Sequence, residues 1–163
     1  MRKAVVILLI LLIPSILNVR GEIVRSAPEF RWQGINGASR SLSSLGKQPV
    51  VLIVAPSPHS RVFRKQLTEI ERLYRQYAGR SAVFCAAFTQ QPGEIESDIP
   101  FLYALDPQEV ASNYGVGSHN FLIAVIGPDR NLDLLSWERT NGNRLRDVID
   151  NGYVMQSVRR SRQ

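Results

Sequence analysis

Two histidines and one cysteine are the side chains of this 163-residue chain with the clearest capacity for metal binding or nucleophilic chemistry. His59 lies in a Pro- and Ser-rich segment that follows an apolar run, and His119 lies between Ser118 and Asn120, just before another apolar run. Two imidazoles fall short of the three or four ligands that zinc and copper sites usually have. We therefore expect solvent-facing loop histidines, with binding of a transition metal as the alternative.

The single cysteine, Cys85, lies in the middle of Ala82–Phe88, a run that is apolar at every position but Cys85 itself. One sulfur excludes an intrachain disulfide and any metal site that needs two cysteines. Burial in such a run raises the pKa of a thiol and blocks access to it, so we expect an inert core cysteine. The alternative is a one-cysteine peroxidase, which would need this thiol exposed beside a cation.

A third group of polar side chains could hold an anion. Ser60, Arg61, Arg64 and Lys65 cluster where a helix is predicted to begin, and free N–H groups at a helix N-terminus favour phosphate or carboxylate. The same residues also fit the solvated face of an amphipathic helix, and we favour that interpretation. Neither a Gly-X-Ser-X-Gly elbow nor a His-Glu-X-X-His helix occurs, so the sequence supports no hydrolase.

The net charge of +6 resides at the two ends of the chain. Residues 1–21 contain three basic residues and no acid, and the last five residues contain Arg159, Arg160 and Arg162. The remaining body carries equal numbers of basic and acidic side chains, so the high isoelectric point does not indicate a nucleic-acid groove. The basic end could instead contact anionic lipid, polysaccharide or an acidic partner.

The N-terminus has the layout of a signal peptide. Met1-Arg2-Lys3 precedes an apolar stretch over residues 4–17, which is shorter than the ~20 apolar residues of a membrane-spanning helix. We expect cleavage after Gly21 and export to the periplasm or the extracellular space, with an uncleaved membrane anchor as the alternative. The predicted organisation is a signal peptide (1–21), an N-terminal extension (22–48), one domain (49–152) and a basic tail (153–163).

The first half of the domain predicts a βαβ unit. Pro49–Ala55 is a continuous apolar run typical of a buried central strand. From Arg61, apolar residues recur at helical spacing, with Ser60 as N-cap and Gly79 in a left-handed turn at the end. Ala82–Phe88 is the second strand, and the crossover requires the two strands to be parallel.

The second half predicts one helix, a hairpin and a closing helix. Ile99–Leu105 reads as a short strand, and Asp106 and Pro107 begin a helix. Gly127–Asn131 is a turn between strands Phe121–Ile126 and Leu132–Trp137, and a helix over 143–150 closes the domain. The order βαβ, α, ββα predicts a three-layer α/β/α domain with a mixed central sheet.

These elements, with Tyr114-Gly-Val116, resemble a thioredoxin-like domain of the peroxiredoxin and cytochrome-maturation type. More narrowly, Val54-Ala-Pro-Ser57, Gln66, the strand and turn 121–129 and the ending 148–160 resemble a thioredoxin-like family of unknown function. That family occurs as small exported bacterial proteins and as the C-terminal domain of equarin and sushi-repeat extracellular proteins. The resemblance implies a thioredoxin-like fold and an interaction role.

The resemblance also implies where redox chemistry would lie. Redox-active relatives carry one or two cysteines between the first core strand and the next helix, and the matching positions here hold Pro58 and Arg61. Neither can form a thiolate, so disulfide exchange at this place is excluded. A cis-proline of the relatives is also replaced, by Ser118–Asn120. In this fold the two histidine loops converge at one end of the sheet.

We therefore predict a catalytically silent, exported thioredoxin-like binding module, with no catalytic residue, cofactor or metal assigned. Its expected partner is a protein or an anionic ligand and not a nucleic acid, with peripheral membrane contact through the basic tail. The alternatives are a peroxiredoxin-like oxidoreductase that uses Cys85 or a partner's thiol, and an adhesive or matrix-type module. The candidate binding residues are Pro58, His59, Ser60, Arg61, His119 and Asn120.

Overall fold

A buried strand, β3 (Val50–Ala55), runs through the middle of the structure, as its uninterrupted apolar sequence predicts. The computed structural model describes residues 25–34 and 37–161, so the predicted signal peptide lies outside the described residues. β4 (Val83–Phe88) pairs with β3 in parallel, which confirms the βαβ unit. On the other side of β3, β6 (Leu122–Ile126) pairs antiparallel.

Two further strands complete the sheet at its edges. β5 (Phe101–Tyr103) pairs in parallel with β4, and β7 (Leu132–Ser136) forms the predicted hairpin with β6. The strand order is β5-β4-β3-β6-β7. A separate hairpin, made of β1 (Arg31–Gln33) and β2 (Ser39–Ser41), precedes the sheet. The predicted mixed sheet is confirmed.

Helices cover both faces of this sheet. On one face pack α1 (Arg61–Glu71), α2 (Tyr74–Ala78) and α4 (Gly142–Ser161), and on the other packs α3 (Pro107–Asn113). Alternate residues of β3 therefore point into two different cores, since side chains along a strand alternate between faces. The three-layer, thioredoxin-like α/β/α architecture predicted from the sequence is confirmed.

The segment before β3 packs onto the domain. Trp32 of β1 is 2% exposed and Leu42 is 1% exposed, and both belong to the core on the α3 side of the sheet. Trp32 also forms an antiparallel bridge with Ala104, just beyond β5. The predicted N-terminal extension thus supplies apolar side chains to a core of the domain.

The helix that follows β3 differs from its predicted form. A single helix was expected to continue through Tyr77, but Leu73 has ψ 9° and separates α1 from α2. Gly79 was expected in a left-handed turn, and this prediction is wrong, because its φ is −62°. The left-handed residue is Ser81, with φ 53°. With the break at Leu73, the side chains of Glu69 and Tyr77 both bond to Gly142.

The last helix is longer than predicted. α4 continues to Ser161, past residue 150, where the sequence was expected to leave the helix, and so includes most of the predicted basic tail. Within this helix a Cβ at Gly152 would lie 3.2 Å from Asp133 Oδ2, so the glycine allows a close approach. None of the described helices is long and apolar enough to cross a membrane.

Candidate functional site

The loop between β3 and α1 and the first residue of this helix hold four of the predicted binding residues. Pro58 is buried and packs near Gly93, where an added Cβ would lie 3.0 Å from Pro58 Cγ. His59 and Arg61 are exposed. Ser60 occupies the predicted N-cap position with an extended backbone, but its hydroxyl donates to the Ser57 carbonyl oxygen at 2.8 Å and caps no helix N–H.

His59 lies beside a shallow groove of about 270 Å³, here called the His59 groove. Its apolar walls come from α1 and from Ile95, in the loop between β4 and β5. The charged residues that line it are Arg64 and the carboxylates Glu71, Glu94 and Glu96. Carboxylates therefore outnumber cations, and the groove is suited to a positively charged group more than to the anionic ligand that the sequence suggested.

The other two predicted residues lie in the loop before β6. His119 ends a short 3₁₀ helix, Gly117–His119, and Asn120 adopts a left-handed conformation with φ 56°. The His119 ring stacks on Trp137, with ring centroids 5.3 Å apart and an interplanar angle of 29°. Trp137 in turn donates from Nε1 to the Gly115 carbonyl oxygen at 2.9 Å.

The two histidine loops reach the same end of the sheet, because Val54 at the end of β3 pairs with Leu122 at the start of β6. However, His119 is not among the residues that line the His59 groove, and it stacks on Trp137 instead. Among the described residues, no three histidine, cysteine or acidic side chains are grouped so that they could hold a metal ion. The geometry gives no support to the alternative of a metal shared by the two histidines.

The cysteine lies where the sequence predicts it, in the centre of β4. Cys85 is 0% exposed, is paired in register with Leu52 of β3, and belongs to the core on the α3 side. Desolvation raises the pKa of its thiol far above the ordinary value, since the thiolate would have no water around it. The prediction of a buried core cysteine is confirmed.

Two residues near the candidate site were not singled out for a role there by sequence reasoning. Trp137, which the sequence placed at the end of a strand, is 42% exposed and carries the histidine stack. Gln66 is fully buried on the inner face of α1 and bonds to the backbone of Thr140, three residues after Trp137. The family resemblance includes Gln66 but gives no partner for it, and that partner is 74 residues away in the sequence.

Comparisons with known proteins relate this fold to thiol-based enzymes. The mitochondrial 2-Cys peroxiredoxin from Plasmodium falciparum matches with a TM-score of 0.62 and 15% identity, over 82% of this chain and 95% of that chain. The thioredoxin domain of a thiol-disulfide oxidoreductase from Bacteroides vulgatus matches with 0.61 and 15%, over 77% and 94%. Peroxidoxin BcpB from Mycobacterium tuberculosis matches with 0.56 and 18%, over 77% and 94%.

At these identities the similarity shows the fold alone. A comparison with curated proteins found no significant match. The sequence profile of the AhpC/TSA family, by contrast, matches residues 23–148, which is most of the chain. This span includes the whole central sheet, the loop with His59 and the loop with His119. The chain belongs to the AhpC/TSA family.

Proposed function

We propose that this member of the AhpC/TSA family is an exported, redox-silent binding module and not a peroxidase. The observation that carries the proposal is the position of its single thiol. Cys85 is enclosed in the middle of β4. Where the resemblance places the redox cysteines, the chain has Pro58, in the loop before α1, and Arg61, the first residue of α1.

A thiol must be accessible and ionised to reduce a peroxide, because the thiolate is the nucleophile. Cys85 meets neither condition, since it is fully buried and desolvation raises the pKa of the thiol. Its strand neighbours, Phe84 and Ala86, point into the opposite core, which keeps the thiol enclosed on both sides of the sheet. Peroxide chemistry at Cys85 would therefore require the core of the domain to open.

The binding surface in this proposal is the end of the sheet that both histidine loops reach. It combines the His59 groove, with its excess of carboxylates, and the exposed stack of His119 on Trp137. Aromatic side chains are frequent in protein interfaces because they bury a large area at a low entropic cost. A protein segment with a basic side chain fits this surface better than a small anion.

Export is part of the proposal and rests on the sequence of residues 1–21 and on the resemblance to small exported proteins. N-terminal sequencing of the protein recovered from the periplasm or the culture medium tests it. A mature N-terminus at Glu22 is the expected result, and an intact Met1 in a membrane fraction would favour the anchored alternative.

Peroxide consumption by the purified protein tests the redox-silent part directly. With thioredoxin and its reductase supplied, we expect the wild type and Cys85→Ser to consume hydrogen peroxide at the same rate as a control without protein. A rate above the control that Cys85→Ser abolishes would contradict the proposal and support the peroxiredoxin-like alternative. A rate that Cys85→Ser leaves unchanged would point to a borrowed partner thiol and would also contradict it.

A further inference from the structure

A second groove lies at the opposite side of the sheet from β7. It is a groove of about 930 Å³ along β5, here called the β5 groove. Trp32 and Arg40 of the β1–β2 hairpin, Val83 of β4 and all residues from Pro100 to Leu105 line it. Consecutive residues of a strand point to opposite faces of the sheet. Since every residue from Pro100 to Leu105 lines the groove, the groove follows the edge of β5 and not one of its faces.

The outer edge of β5 has backbone groups available for another strand. The Ala104 N–H donates inward to the Ala86 carbonyl oxygen at 2.9 Å, so the N–H groups of Tyr103 and Leu105 point outward. The Leu105 N–H is taken by the Arg31 carbonyl oxygen at 2.9 Å, and the antiparallel bridge between Trp32 and Ala104 places Gln33 of β1 opposite Tyr103. Phe101 shares the outward direction, and within the described residues no strand lies beside it. An uncovered edge of this kind is a template for strand addition.

The side chains around this edge form an apolar surface. Tyr103 is 40% exposed and Leu105 is 42% exposed, which makes them two of the three large apolar side chains that the described part of the chain leaves exposed. Phe101 and Leu102 are half-buried beside them, and Trp32 closes one wall while remaining buried. Apolar side chains beside an open edge give an added strand both hydrogen bonds and contact area.

The charge of the residues that line the β5 groove indicates which kind of ligand it favours. Arg40 is the one charged residue among those that line it, and no described side chain forms an ion pair or hydrogen bond with its guanidinium. The neighbouring Arg31, by contrast, pairs with Asp106 at 3.5 Å. An unpaired cation in an apolar groove favours a ligand that brings a carboxylate.

We propose that the β5 groove binds an extended segment of a partner polypeptide as an added strand, with alternating apolar side chains and one carboxylate side chain opposite Arg40. The antiparallel bridge between Trp32 and Ala104 places Gln33 of β1 opposite Tyr103, so the free part of the edge runs from Pro100 to Leu102 and accommodates about three residues of the added strand. This surface shares no lining residue with the His59 groove, so the inference does not depend on the function proposed above.

Three synthetic peptides test the inference against the full-length protein. The first is a fluorescein-labelled octapeptide of alternating valine and threonine with one central glutamate, the second has lysine in place of glutamate, and the third carries N-methyl groups at alternate amides. We expect saturable binding of the first peptide below about 1 mM, at least about threefold weaker binding of the second, and loss of binding for the third. Hydrogen exchange at the Phe101 amide should slow when the first peptide is bound.

Variants of exposed arginines identify the site. Arg40→Glu should reverse the preference between the glutamate and lysine peptides, whereas Arg75→Glu on α2, an exposed arginine outside the β5 groove, should leave it unchanged. Arg40→Gln, which only removes the charge, should abolish the preference. Circular dichroism establishes that each variant is folded.

Four results would overturn the inference. These are no saturable binding, equal affinity for the glutamate and lysine peptides, full binding of the N-methylated peptide, and unchanged exchange at Phe101. Sedimentation of the protein without peptide shows whether a second copy of the chain supplies the added strand. If the protein forms dimers in which hydrogen exchange at the Phe101 amide is slowed, the β5 groove binds a second copy of the chain, which would contradict binding of a partner segment.

Discussion

Gln66 and Thr140 exchange two hydrogen bonds in the interior of the protein. Gln66 Nε2 donates to the Thr140 carbonyl oxygen at 2.9 Å, and the Thr140 N–H donates to Gln66 Oε1 at 2.7 Å. Both residues are buried, so a single amide side chain satisfies two backbone groups that have no access to water. The pair fixes the segment after β7, which carries Trp137, against α1.

Gln66→Ala should lower the free energy of unfolding by about 2–4 kcal/mol, because it leaves two buried backbone groups unpaired and opens a cavity. Urea denaturation followed by circular dichroism measures the change. Gln90→Ala, at an exposed position in the loop after β4, is the matched control and should stay within about 0.5 kcal/mol of the wild type. A Gln66→Ala protein as stable as the control would show that the pair does not hold the segment.

Alanine substitutions at Gly142 and Gly79 should have opposite effects on stability, because only Gly142 lies in close contact with a backbone atom of another segment. A Cβ at Gly142 would lie 2.5 Å from the Glu69 carbonyl oxygen, a backbone atom that cannot move aside alone. We expect Gly142→Ala to destabilise the protein by about 1–3 kcal/mol or more. At Gly79 the nearest atom would be 3.5 Å away and φ is −62°, so Gly79→Ala should be neutral or stabilising by up to about 1 kcal/mol. Thermal denaturation of both variants measures the difference, and equal effects would contradict the described contact.

Much of the fold follows from local sequence patterns. The apolar run of β3, the helical spacing from Arg61 and the turn at Gly127–Asn131 all predict elements that the structure contains. These patterns succeed because each depends on residues that are close in the chain. The break at Leu73 was missed, because the residues on either side of it bond to Gly142, which is distant in the sequence. The length of α4 was also missed.

The candidate site was predicted less completely than the fold. The sequence placed His59 and His119 in loops at one end of the sheet, but it did not reveal the stack of His119 on Trp137. Nor did it show that Glu94 and Glu96 come to lie beside His59. The excess of carboxylates in the His59 groove depends on how α1 packs against the loop between β4 and β5. The sequence pattern within either segment does not predict that contact.

Asp133 should give the protein a pH-dependent stability. Desolvation, with the nearby Asp129 carboxylate, raises the pKa of Asp133 to about 6, so the folded state holds this proton more tightly than the unfolded state. Its stabilising contribution is complete below about pH 4 and is lost as the pH rises through about 6. Asp133→Asn should therefore be more stable than the wild type at pH 7, by no more than about 1 kcal/mol, because the side chain is only partly desolvated and water screens its charge.

Urea midpoints measured between pH 4 and pH 7 test this prediction. The difference between Asp133→Asn and the wild type should grow as the pH rises. Asp98→Asn, in the exposed loop before β5, controls for the change in net charge. A constant difference across the range would contradict the role of Asp133.

The two tryptophans should report two different environments. Trp137 is 42% exposed and Trp32 is 2% exposed, so acrylamide should quench the emission of Trp137 much more efficiently. Trp32→Phe leaves Trp137 as the only indole, and Trp137→Phe leaves Trp32, so each can be measured alone. His119→Ala, which removes the stacked ring, should increase the quenching of Trp137 further. Equal quenching of the two single-tryptophan proteins would contradict the exposed stack of His119 on Trp137.

The reactivity of the thiol in the native protein tests the central claim most directly. The proposal of a redox-silent module requires Cys85 to remain enclosed in β4 as long as the domain is folded. Ellman's reagent should therefore modify the native protein no faster than the domain unfolds, and urea should raise the rate to that of a free cysteine. Rapid modification of folded protein, faster than a free cysteine at the same pH, would show an accessible, activated thiol and would contradict the account.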